Sequence, residues 1–132
     1  MDNVDKTDTK LNEWDDIGVI DMLIQDTLNK GIRIPEAPKL KNYLYNFPEL
    51  VEILPLVCKL TREKFPPDNA QLSLEFDSDI DGKDVPLILY VRQEHYEENI
   101  MEIIDEIRSK YIDRFIGKKG WLLVTTDFAS PE

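Results

Sequence analysis

The chain has 132 residues, 42% hydrophobic and 33% charged, enough for one compact domain whose core needs no disulfide staple. Asp and Glu outnumber Lys and Arg by 27 to 16, a formal charge of −11. That field repels phosphate backbones and anionic lipid, so nucleic acid and membrane are excluded as first expectations and a basic protein is the natural complement.

Residues 1–12 are polar, acidic and aperiodic, and read as a disordered acidic tail; 13–132 read as a single α+β domain. The N-terminus has no apolar h-region and no basic transit pattern, and no apolar stretch reaches the ~20 residues of a membrane span. The single Cys58, set among Leu54, Val57 and Leu60, cannot form an internal disulfide and suits a reducing interior. A cytoplasmic protein is expected.

In chain order, Ile17, Ile20, Leu23, Ile24 and Leu28 recur at helical spacing, with Gly31 suited to a left-handed stop. Ile32 to Pro38 reads as an extended connector. A short helix carrying Leu40, Tyr43 and Leu44 then stops at Asn46, which pairs with Glu49 in the pattern of a capping box. The helix that follows buries Leu50, Leu54, Val57 and Leu60, with a kink or break expected at Pro55.

Asp81-Gly82 predicts a tight hairpin turn. Centring the turn there pairs Leu72 with Val91, Leu74 with Leu89 and Phe76 with Leu87 on one face. Gln71 with Arg92, Ser73 with Tyr90 and Glu75 with Ile88 share the other. Pro86 places the second strand at an edge or lies outside the ladder.

Glu94 to Ile116 predicts the strongest helix, with Ile100, Ile103, Ile104, Ile107, Tyr111 and Phe115 on one stripe and Gly117 at its C-terminal end. A strand over 121–126 follows, apolar on both faces. The expectation is an α+β fold: N-terminal helices, then ββαβ, with a three-stranded mixed sheet packed against the helices. A right-handed crossover makes the last strand parallel to the second, and an edge position for Pro86 implies the spatial order 2-1-3.

Asp77, Asp79 and Asp81, ahead of Gly82, match the opening DxDxDG of a calcium loop, in which alternate carboxylates converge on a hard cation. The position of the EF-hand's bidentate Glu is Ile88, and strands flank the motif. An acidic solvated hairpin tip is the simpler reading. Asp79 and Asp81 also resemble the acidic pair of the nucleotidyltransferase superfamily, with Asp127 as a third ligand for magnesium, but no glycine is followed by the serine that family uses to cradle phosphate. Calcium or magnesium are therefore the only cofactors suggested. His95 stands alone, and no GxSxG, Walker or GxGxxG motif is present.

Ile88, Tyr90, Trp121 and Leu123 share the face opposite Leu74 and Leu89. Either the N-terminal helices cover them, the favoured reading, or they form an interface with a partner or a second copy, a dimer being allowed.

The pieces Asn46-Phe47-Pro48-Glu49-Leu50, Gln71-Leu72-Ser73-Leu74-Glu75, Leu89-Tyr90-Val91-Arg92, Gly120-Trp121 and Thr125-Thr126-Asp127-Phe128 resemble a family of small acidic bacterial proteins of uncharacterised activity. The likeness spans roughly Tyr43 to Phe128, implies a bacterial cytoplasmic setting and brings no catalytic residue with it. The expected function is a non-enzymatic protein-interaction or regulatory module. The alternatives are a metal-dependent nucleotidyltransferase-like enzyme or calcium binding at the hairpin loop.

Overall fold

The computed structural model describes residues 18–76, 86–117 and 120–132. The predicted tail, the hairpin tip with Asp77, Asp79 and Asp81, and the Lys118-Lys119 pair lie outside them. Among the described residues, four helices and a three-stranded mixed sheet form an α+β fold. Helix α1 covers 18–29, α2 Ala37–Asn46, α3 Leu50–Lys64 and α4 Ile100–Tyr111, the last continued by a 3₁₀ turn, Ile112–Phe115. Strands β1 (Gln71–Phe76), β2 (Leu87–Arg92) and β3 (Leu122–Thr125) follow the order β1-β2-β3.

The hairpin register is the one expected, all six pairs from Gln71↔Arg92 to Phe76↔Leu87 included. β3 runs parallel to β2, Leu87 opposite Leu122 and Leu89 opposite Val124. The order 2-1-3 is corrected: β2 is central and β3 pairs with it, not with β1. Pro86 sits one residue ahead of β2, where its missing amide removes no ladder bond, so the constraint that would send β2 to an edge does not operate. The freed edge of β1 is taken instead by the connector after α1. Arg33 donates its amide to Leu72 O at 2.9 Å and accepts from Leu74 N at 2.7 Å.

Alternation then separates two faces. Leu72, Leu74, Leu87, Leu89, Val91, Leu122 and Val124 join one core cluster with Ile20 and Leu23 of α1, Leu40 and Leu44 of α2, Leu54 and Val57 of α3, and Ile104 and Ile107 of α4. All four helices therefore contribute to the same side of the sheet. Burial of this kind is worth about 1.5–3 kcal/mol for each large side chain.

Local chemistry explains the element ends. α1 closes as a Schellman motif: Ile32 N bonds Thr27 O and Gly31 N bonds Leu28 O, with Gly31 at φ +79°, as glycine allows. α3 runs unbroken through Pro55; burial of Leu54, Val57 and Cys58 around it outweighs the ~3 kcal/mol local cost. The Asn46–Glu49 box does not form, because α3 starts only at Leu50 and Glu49 uses its carboxylate to accept Gly120 N at 3.0 Å. α4 begins at Ile100, later than its acidic prelude suggests. Gln93 accepts Glu97 N and so holds the preceding bend in a non-helical path.

Candidate functional site

Arg92 ends β2 on the face away from the core cluster, and it is only 6% exposed. A buried guanidinium must be answered by charge and hydrogen bonds. Its Nε and Nη2 donate to Asp127 Oδ1 and Oδ2 at 3.1 and 2.8 Å, and its Nη1 donates to Glu75 Oε2 at 2.8 Å. The head lies back over Tyr90, 4.7 Å from the ring centroid. Ser73 Oγ adds a 2.6 Å bond to Glu75 Oε2.

The electrostatics are closed. The hydrogen bond to Asp127 is the largest influence raising the Arg92 pKa. Bonding to Arg92 holds the Asp127 carboxyl below its usual range. Burial pushes Glu75 upward, but the bonds from Arg92 and Ser73 outweigh it and leave its pKa lowered.

Asp127 also organises the chain beyond β3. Its Oδ1 accepts Ala129 N at 3.0 Å, while Thr126 Oγ1 accepts Phe128 N at 3.1 Å. These short side-chain-to-backbone loops are what Asp and Thr supply in turns. Between them Phe128 is held at φ +57°, the left-handed region that bulky residues avoid. Tyr96 buttresses the turn: its hydroxyl donates to Ala129 O, accepts from Thr126 Oγ1, and its ring lies 5.1 Å from that of Phe128. Phe128 nevertheless remains 57% exposed. The chain then crosses to β1, where the Gln71 amide exchanges two hydrogen bonds with the backbone of Glu132, whose carboxylate pairs with Arg33.

Three of the four residues named as an interface share the second face of the sheet. Ile88 and Leu123 are register partners on the second face with Tyr90 two residues along from Ile88. Ile88 is buried there outside the main cluster, and Tyr90 and Leu123 are half-buried. Among the described residues, the buried apolar side chains of α1 and α2 join the core cluster on the opposite face, while the Tyr43 hydroxyl of α2 bonds the backbone N–H and carbonyl of Trp121. Trp121 sits one residue ahead of β3 with its ring 4.9 Å from Phe115.

Both sheet edges are met in part by other segments of the chain. Beyond the Arg33 bridge on β1, the outward groups of β3 are met by side chains of α4. The Tyr111 hydroxyl accepts Val124 N at 3.1 Å and donates to Leu122 O at 3.3 Å, and Arg108 Nε donates to Val124 O at 2.8 Å. Burial pushes the Tyr111 hydroxyl pKa up, so it stays a donor.

Cys58 is buried and its thiol pKa is pushed up to about 12, by burial above all. A cleft of about 740 Å³ between Lys30, Asp68, Glu94, His95 and Pro131 mixes charges of both signs. Arg62 beside it spends its donors on the carbonyls of Lys30, Gly31, Phe65 and Ala70. Among the described residues no group of three His, Cys, Asp or Glu converges on an ion-sized position. Both oxygens of Asp127 accept from Arg92, and the Asp79 and Asp81 carboxylates it was expected to join lie outside the described residues.

Sequence reasoning placed Arg92 and Glu75 on one face but did not join them. The available signal was a lone arginine ending an apolar strand with an acid on the same face. Phe128 carried no signal beyond the Thr126-Asp127 turn pair. Comparison with protein-family models, curated proteins and solved structures finds no match to this chain. No helix among the described residues is long and apolar enough to cross a membrane.

Proposed function

We propose that this chain is a non-enzymatic protein-interaction or regulatory module that meets its partner at the turn held by Arg92. The observation that supports this reading is the display of Phe128. A left-handed non-glycine residue costs about 1–3 kcal/mol, and an exposed phenylalanine forgoes about 2 kcal/mol of burial. Neither cost contributes to the core. A rigid, exposed aromatic is the usual anchor of a binding surface, because it brings large contact area with little entropy left to lose.

The partly covered sheet edges favour the same reading. A partner adding a strand would have to displace Arg33 on one side or Tyr111 and Arg108 on the other, whereas the turn is already exposed. The formal charge of −11 favours a basic partner and fast encounter at low salt.

Co-purification from native extract at low and moderate salt, with the wild-type chain beside Phe128→Gly, tests this. Glycine relieves the backbone strain while losing the ring pair, so the variant should stay within about 1 kcal/mol of wild type. A specific protein recovered by wild type and lost by the variant is the expected result. Equal recovery by both, or no specific protein at either salt, would contradict the proposal.

A further inference from the structure

The two residues of the Tyr96–Phe128 ring pair have acidic neighbours along the chain. Glu94, Glu97 and Glu98 flank Tyr96 in sequence and are all exposed; chain geometry keeps their Cα atoms within about 7 Å of that of Tyr96. None of the three makes a salt bridge with a described cation. Asp127, next to Phe128, adds a carboxylate that is 38% exposed although it pairs with Arg92.

The face of an aromatic ring attracts cations, and neighbouring carboxylates supply the hydrogen-bond acceptors a cation then needs. A guanidinium meets both demands at once: it is planar, weakly hydrated and forked, whereas an ammonium is compact and strongly hydrated. The molecule already uses this chemistry internally, where Arg92 lies over Tyr90 and donates to Glu75 and Asp127.

Resting on the interaction-module reading above, we infer that the partner is a basic protein segment that presents an arginine to this corner, its guanidinium stacked on Phe128 and its N–H groups directed to Glu97 and Glu98. The rings supply the stacking surface and the glutamates the charge, so neither alone gives the full affinity.

The full chain is titrated by calorimetry with a peptide of alternating Arg and Gly, and with the same peptide carrying citrulline or Lys at every Arg position. The Arg peptide should bind, the Lys peptide more weakly, and the citrulline peptide not measurably. Phe128→Ala should weaken Arg-peptide binding about three- to thirtyfold, and the double variant Glu97→Gln, Glu98→Gln should weaken it and flatten its salt dependence. The double variant Glu52→Gln, Glu63→Gln makes the same charge change elsewhere and should leave affinity nearly as in wild type. No binding of the Arg peptide, equal binding of the citrulline peptide, undiminished binding by folded Phe128→Ala, or equal losses from the two double variants would overturn the inference. If any of these occurs while capture from extract still depends on Phe128, the arginine assignment falls and the interaction reading stands.

Discussion

An arginine buried at the end of a central strand is tolerable only while its two carboxylate partners stay ionised, which ties the second face of the sheet to pH. Glu75 and Asp127 have lowered pKa values in the fold. A carboxyl whose folded value is depressed adds stability above its unfolded value, near pH 4, and that stability is lost as pH falls through the folded value. Urea unfolding followed from neutral pH to below pH 4 should therefore show a steeper loss in wild type than in Arg92→Gln; parallel curves would show that the pair contributes nothing linked to protons. The half-exposed Asp127 moderates the size of the effect. At this scale the sequence was partly legible. The hairpin register put Ser73, Glu75, Tyr90 and Arg92 on one face, but the return of Asp127 to that face depends on where the chain turns after β3. No local pattern around Phe128 announces its positive φ.

Elements close one another more than their own sequences suggest. β3 has only four residues, and its exposed backbone groups would invite another strand. Tyr111 and Arg108 of α4 cover that row. Tyr111→Phe keeps the ring but leaves Val124 N and Leu122 O without the hydroxyl, so urea denaturation should show a loss of about 1–3 kcal/mol; stability equal to wild type would mean the hydroxyl is not bonded there. At the other end of β3, Gly120 lies so close to the α2–α3 junction that an added Cβ would meet Phe47 Cβ at 2.9 Å and Leu50 Cδ1 at 3.0 Å. Gly120→Ala should cost about 1–3 kcal/mol through overpacking, and a neutral result would contradict the close approach. Strand pairing within the hairpin was readable because a one-residue slip would reverse every apolar side chain. Strand order was not, because the inference from Pro86 assumed that this residue lay inside the ladder. The βαβ unit settles the matter: β2, α4 and β3 follow one another, and the two parallel strands become neighbours.

For the whole molecule, four helices contribute to one core on one face of a three-stranded sheet, while the other face carries the ion triad and the chain that leads from β3 to β1. Apolar periodicity disclosed the first layer, since Ile100, Ile104, Ile107, Tyr111 and Phe115 fall on the predicted stripe and are buried. The second layer is held by pairs far apart in sequence, Arg92 with Asp127 and Gln71 with Glu132, which periodicity does not encode. The formal charge of −11 works against compaction through self-repulsion. Raising salt from about 0.01 M to about 1 M shortens the screening length from about 30 Å to about 3 Å, so the thermal midpoint should rise with salt; a steady fall would mean that attractive surface pairs dominate.

Arg92, through Asp127, holds the turn that displays Phe128. Amide hydrogen exchange at Phe128 and Ala129, compared between wild type and Arg92→Gln, tests it most directly. Both amides should be protected in wild type and lose that protection in the variant, with the β1–β2 ladder amides still protected. Unchanged protection at Phe128 and Ala129 in the variant would contradict it.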